Sequence, residues 1–219
     1  MEIPRRYIDN FTRGINTISE GAREALAREL AALDYSDMTQ AINDAVALME
    51  SYCSATSEAA ARLAAQFYNG MSMIQTGEGY EAEAISGHVP VATEKAVRGI
   101  AQEGVDGNIA GMVGLLLARV DYEAKRAAGE TVMGNAERDR RDVRFARVPS
   151  GHETCLWCYM LASRGFVYRS RESAGELNHY HANCDCRVVP GFAGATVEGY
   201  DPSEYYRIWK SGEVPQSGT

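Results

Sequence analysis

The chain has 219 residues, 45% of them hydrophobic and 24% charged. That composition fits one large globular domain or two small ones and excludes wholesale disorder and collagen-like repetition. The formal charge of −8 excludes a chain that acts throughout as a phosphate-neutralising coat, while leaving room for a local basic patch.

The first six residues, Met1-Glu2-Ile3-Pro4-Arg5-Arg6, lead into polar sequence with no apolar run, so no secretory leader is expected. Ile8, Phe11, Ile15, Ile18, Ala22, Ala25 and Leu26 recur at three- and four-residue steps and paint one face of a first helix. Leu30 and Leu33 extend it, and Asp34-Tyr35-Ser36 breaks it. A second stripe runs through Ile42, Val46, Met49, Cys53, Ala60, Leu63 and Phe67, with Asn69-Gly70 as its expected stop. Residues 70–90 read as a connector. Val91 to Glu103 forms a shorter helix closed by Gly104. A long helix follows from about Asn108 to Arg138, with Ile109, Met112, Val113, Leu116, Val120 and Ala124 on one face. Its apolar stretch, Ile109 to Ala118, is about half the roughly 20 residues that cross a bilayer, so no membrane association is expected.

The composition changes near residue 138. Residues 1–137 carry 11 Lys and Arg against 20 Asp and Glu, whereas residues 138–187 carry 9 against 6. We therefore divide the chain into a helical region, 1–137, and a small Cys/His module, 138–219, with a C-terminal helix and a loose tail. In the module, Val143 to Val148 alternates as a strand ending at Pro149. Leu156 to Ser163 reads as a short helix stopped by Arg164-Gly165, and Phe166-Val167-Tyr168 and Arg187-Val188-Val189 read as short strands. Asp201-Pro202-Ser203-Glu204 starts a last helix with Tyr205, Ile208 and Trp209 on its buried face and Gly212 at its end. The expected fold is a mainly α N-terminal region, a helical bundle or elongated helical arm, with a small zinc-stapled α+β C-terminal module.

The chemistry concentrates in the module. Four of the five cysteines lie within residues 155–186, a spacing that favours metal ligation over a disulfide framework. Cys155-Leu156-Trp157-Cys158 can turn two sulfurs toward one ion. After 22 intervening residues, His181-Ala182-Asn183-Cys184-Asp185-Cys186 supplies the rest. A tetrahedral zinc needs four ligands, and Cys155, Cys158, His181, Cys184 and Cys186 are five candidates, with His179 in reserve. If residues 184–186 are extended, Cys184 and Cys186 share a face and both can ligate. If the segment turns, His181 and one of the later cysteines complete the set. More protein ligands than a zinc needs points to a closed structural site, because a catalytic zinc keeps a position for water. Cys53, on the apolar stripe with Met49, reads as a core residue.

The run Val148-Pro149, Cys155-x-x-Cys158, Leu161-Ala162-Ser163-Arg164-Gly165, Val167-Tyr168-Arg169-Ser170, His181-x-x-Cys184-x-Cys186 and Val189-Pro190 resembles the C-terminal module of MuF-like minor head proteins of tailed bacteriophages. The likeness covers residues 143–192, with Ala182 standing where that family often has proline. It implies a virion component made in the bacterial host cytoplasm and placed in the head near the portal. The implied partners are the portal protein and the major capsid or scaffold protein.

Two enzymatic alternatives follow from the same residues. His179-x-His181-x-Asn183 beside a Cys-x-x-Cys pair resembles a zinc-knuckle HNH nuclease, with His179 as base and Asp185 nearby. A cysteine protease would use Cys155 with His152 or His181. The expected function is non-enzymatic, since cysteines committed to zinc make poor nucleophiles. Finally, Arg138, Arg140, Arg141, Arg144 and Arg147 form a basic stretch. It reads either as a solvated helix end or as a contact to DNA phosphate.

Overall fold

The structure, a computed structural model, describes residues 1–150, 154–170 and 186–214. Four helices build the first part: α1 (Arg5–Ala31), α2 (Met38–Thr76), α3 (Pro90–Val105) and α4 (Ile109–Arg138). Each apolar stripe faces inward. Ile8, Phe11 and Ile15 of α1 meet Ala60, Ala64 and Tyr68 of α2 and Ala124, Ala127 and Val132 of α4. Leu26 and Leu30 close the other end against Met49, Cys53, Val97, Met112, Leu116 and Val120. Side-chain caps set two of the starts: Asp37 accepts from the Gln40 amide (3.1 Å) and Asn108 from the Gly111 amide (3.0 Å).

Helix α2 does not stop at Asn69-Gly70. It runs on to Thr76 and ends at Gly77, whose φ of 75° provides the left-handed turn. Burial of Tyr68, Met71 and Ser72 carries the helix past Gly70. The Asn69 side chain is used elsewhere, accepting from the Ala82 amide at 2.9 Å.

Residues 78–88 form a strap laid along α4, and its backbone is read by side chains. Asn135 accepts from the Glu83 amide (2.9 Å) and donates to the Glu83 carbonyl (2.8 Å). Thr131 does the same for Ile85, at 3.0 Å each way. Arg126 donates to the Ser86 carbonyl (3.0 Å) while paired with Glu123 and Glu130 at 2.8 Å each. Gly87 follows at φ 56°, and a Cβ there would lie 2.0 Å from the Glu130 carboxylate.

The rest of the chain folds onto this bundle. Strand β1 (Glu2–Ile3) pairs in parallel with β4 (Thr196–Val197). Strands β2 (Arg144–Pro149) and β3 (Cys186–Gly191) form an antiparallel pair with Ala146 opposite Val189 and Pro149 opposite Cys186. Five of six residues in β2 and all six in β3 are buried, so both faces of the pair are covered. Phe145, Val148, Val188 and Val189 belong to the same core cluster as Ile8 and Val132. The core therefore crosses residue 138. Phe166-Val167 is a turn, and Tyr168 alone bridges Phe145. Helix α5 (Leu156–Ala162) packs on β2 and on α6 (Pro202–Ser211).

Helix α6 differs from its sequence reading. It starts and stops as expected, with Asp201 accepting from the Ser203 amide (2.9 Å) and Gly212 at φ 73°. Yet none of its residues is buried, and Trp209 is 39% exposed. Tyr205 is half-buried against the rings of Tyr159 and Tyr200, and Ile208 is half-buried too. Trp209 instead meets Tyr206 edge-on and the Lys210 ammonium, 5.5 Å from its ring centre.

Asp139 clamps the join between α4 and β2. It is buried and accepts from Tyr68 (3.0 Å) and from Arg141 through Nε (2.9 Å) and Nη2 (2.7 Å). Arg141 in turn lies over the Phe192 and Tyr80 rings. Burial works to raise the Asp139 carboxyl, but the hydrogen bonds from Arg141 and Tyr68 win and hold it below the ordinary aspartate value. A depressed folded-state value stabilises the fold above the unfolded aspartate value of about 3.9. That stability is lost as pH falls through the folded value. Asp139→Asn should flatten this part of the acid limb in urea melts taken between pH 2 and 6. Asn135→Ala should lower stability by about 1–3 kcal/mol in the same assay at neutral pH, because it removes both hydrogen bonds that hold the strap at Glu83, each worth about 0.5–1.5 kcal/mol.

Candidate metal centre

Three of the five candidate ligands come together. Cys155 occupies the N-cap of α5, and its Sγ accepts from the Cys158 amide at 3.4 Å. The two-residue spacer folds back because α5 begins between the cysteines, as the Cys-x-x-Cys spacing anticipates. Cys158 and Cys186 are each 1% exposed, and their sulfurs lie 3.0 Å apart. Cys186 is the first residue of β3, opposite Pro149, so the hairpin delivers it to the first turn of α5. Tyr122 of α4 and the half-buried Cys155 pack against this pair. The Arg119 guanidinium covers the outer face of Tyr122 at 4.6 Å.

The donor set fits a soft divalent ion. The 3.0 Å separation is too long for a disulfide of about 2.05 Å. It is shorter than the roughly 3.8 Å between two thiolates on a tetrahedral zinc with about 2.3 Å bonds. His181 and Cys184, the remaining candidates, lie outside the described residues, as do His152, His179, Asn183 and Asp185. Among the described residues alone, no group of three or more His, Cys, Asp or Glu side chains is preformed to hold a metal.

A side chain that sequence reasoning assigned elsewhere belongs to this site. Arg147 is 2% exposed, and its Nη2 lies 2.7 Å from Cys186 Sγ. The other arginines of the basic stretch occupy separate environments. Arg138 pairs with Glu83, Arg141 with Asp139, and Arg144 lies 3.8 Å from Asp142; Arg140 is exposed. No local signal in the alternating Arg144–Val148 run separates Arg147 from the other arginines; strand register places it.

Cys53 is unrelated to this centre. It is fully buried between α2 and α4, and burial pushes its thiol up to about 12. An alkylating agent at pH 8 should accordingly leave Cys53 unmodified in the native protein and label it once urea unfolds the chain, as read by peptide mass mapping.

The sequence matches the VG15 protein family over residues 2–212. It is 32% identical over 130 residues to the "Gene 15 protein" of Mycobacterium phage D29, an alignment covering 45% of this chain and 46% of that protein. It is also 32% identical over 126 residues to the "Gene 15 protein" of Mycobacterium phage L5, covering 40% of this chain and 42% of that protein. The chain thus spans less than half the length of these curated relatives. No solved structure matches it. Among the described residues, no helix is long and apolar enough to cross a membrane.

Proposed function

The chain belongs to the VG15 protein family, and from that premise we propose that it is a non-enzymatic minor head protein of the MuF-like kind. It acts at the portal or the capsid interior during phage head assembly, with one structural zinc in its C-terminal module. The convergence of Cys155, Cys158 and Cys186 carries the metal half of this reading. His181 or Cys184 supplies the remaining coordination. A zinc there ties α5 to the start of β3 and does no chemistry. Protein ligands fill the positions that a catalytic ion keeps for water. The phage gene 15 relatives support the virion half.

The partner surface is best sought between α3 and α4. The apolar stripes of α1, α2 and α4 are spent on the core, whereas Val91 (74% exposed), Val105 (56%) and Leu115 (47%) face outward. Ala92, Ala96, Gly99 and Ile100 line a groove beside Leu115. Small residues there let a partner helix approach closely, and the charges around the groove, Lys95, Glu103 and Arg119, are mixed. Apolar docking to a portal or capsid helix is the expected mode.

Elemental analysis of purified protein should return about one zinc per chain, and a folded protein without zinc would overturn the metal reading. Chelation should expose Cys155 and Cys158 to iodoacetamide, and zinc should protect them. Leu115→Asp should abolish co-purification with the portal protein, and the parent complex should persist as salt rises, since screening weakens exposed ion pairs most. Release of the parent by salt, or an intact complex with Leu115→Asp, would place the contact elsewhere. Magnesium- or manganese-dependent nicking of plasmid, lost in His179→Ala, would replace this function with the nuclease one.

A further inference from the structure

Two surfaces at opposite ends of the chain are left uncovered, and they complement each other. The first is the outer face of α6. Tyr206 and Trp209 are 47% and 39% exposed, and Arg207 and Lys210 are exposed beside them. At about 100° per residue these four side chains fall within about 160° of arc, and Glu204 lies outside it. Lys210 Nζ stands 6.0 Å from the Tyr206 ring centre and 5.5 Å from that of Trp209. Neither Arg207 nor Lys210 pairs with a carboxylate among the described residues. Exposed Trp, Tyr and Arg are the residue types that dominate binding energy at protein interfaces.

The second is a groove of about 590 Å³ where the end of α1 meets the start of α2. Ala32, Leu33, Ala47 and Leu48 form its floor, with Glu29 and Asp44 beside them. Ala32 and Ala47 are exposed, and Leu33 and Leu48 are only half-buried. Glu29 accepts from Tyr52 Oη at 2.5 Å and Asp44 from Gln40 Nε2 at 2.8 Å, so both carboxylates meet neutral donors. By contrast, Asp9, Glu58 and Glu94 each pair with an arginine four residues away. Residues 24–52 hold six acidic side chains against one cation, Arg28. An apolar floor beside unmatched carboxylates suits a helix that presents apolar knobs flanked by cations. The outer face of α6 is such a surface.

The two surfaces do not meet within one chain. Helix α6 lies by the start of α1, because Glu198, four residues before it, accepts from the Arg5 amide at 3.1 Å. The groove lies at the far end of α1, a helix of 27 residues and so roughly 40 Å long. We propose that the outer face of α6 docks into the α1–α2 groove of a second copy of this chain. Trp209 and Tyr206 rest on the apolar floor, and Arg207 and Lys210 face Glu29 and Asp44. Such a contact joins two different surfaces, so each bound pair still offers one free groove and one free α6. Repetition gives a ring where the rotation closes and a filament where it does not. One helix of ten residues makes a contact at the small end of the protein–protein range, so assembly depends on concentration. The inference goes beyond the minor-head and zinc readings and depends on neither.

The test follows the full-length protein by sedimentation velocity over a concentration series. The parent should gain mass with concentration, and high salt should lower its association constant by about 2- to 30-fold as the two ion pairs are screened. Trp209→Ala removes the main knob and should weaken association by at least about 30-fold. Lys210→Glu, which keeps every ring, should weaken it in the same direction. Ala47→Arg fills the groove, reverses its sign and should weaken association as Trp209→Ala does. These positions are exposed, so urea melts of the variants should match the parent. Mixed one to one, Trp209→Ala and Ala47→Arg should form a complex that stops at two chains. The Ala47→Arg copy still offers α6, and the Trp209→Ala copy still offers the groove. A mixture that stays monomeric while the parent associates overturns the head-to-tail contact. Association that survives both substitutions runs through another surface and overturns it too. A parent that remains monomeric up to about 1 mM overturns the proposal outright and assigns the two faces to other proteins.

Discussion

The β2–β3 pair is buried on both faces, and the rest of the fold is arranged to satisfy that burial. A two-stranded ribbon alone in water is marginal. Here one core cluster covers it with residues from α1, α2 and α4, and α5 packs against β2. The pairing of β1 with β4 fastens the first residues of the chain to residues 196–197. The change of composition near residue 138 is thus a change of chemistry within a continuous core. Polar chains at the join take fixed partners for the same reason: Asp139 with Arg141 and Tyr68, and Arg187 with Asn16 of α1 at 2.9 Å.

Helix α4 is the hub of this arrangement. It touches α1, α2, α3, β2 and β3, and the later part of its buried face carries the small residues Ala124, Ala127, Ala128, Gly129, Gly134 and Ala136. Small side chains let several elements approach one helix, but they bury little apolar area each. The polar residues on its remaining face make up the difference by fastening the strap. Thr131 and Asn135, four apart, recognise alternate residues of an extended segment, so a helical period reads a strand period.

Legibility followed the kind of physical signal. The stripe Ile8, Phe11, Ile15 and the helix starts at Asn108 and Asp201 act locally, and the structure has them where periodicity and capping chemistry put them. Gly70 misled because a stop signal only sets a cost of about 1 kcal/mol, which burial of the flanking Tyr68 and Met71 exceeds. Trp209 misled for the opposite reason: an amphipathic pattern names an apolar face without naming what covers it. Arg147 misled because alternation assumes one wet face, and this strand has none. The nearness of Cys155 and Cys158 was legible because two residues between thiols is a local geometric fact. The relation of Cys186 to Arg147 depends on strand register across a long connection, which no local pattern encodes.

That long connection also bears on why a staple belongs here. Between Pro149 and Cys186 the chain makes a 36-residue excursion, whereas hairpin loops commonly hold two to five residues. Each doubling of loop length adds only about 0.6 kcal/mol of closure entropy, so the excursion is tolerable but not free. Its early part returns as α5, which sets Cys155 and Cys158 beside Cys186. The proposed metal would bind the start of the excursion to its end. A bridge of that kind acts at the end of the strand pair where the long connection leaves and returns. There Pro149, lacking an amide proton, cannot donate to the ladder. The hydrogen bond missing from the backbone at that end is set beside gathered cysteine sulfurs, with the Arg147 guanidinium 2.7 Å from Cys186 Sγ.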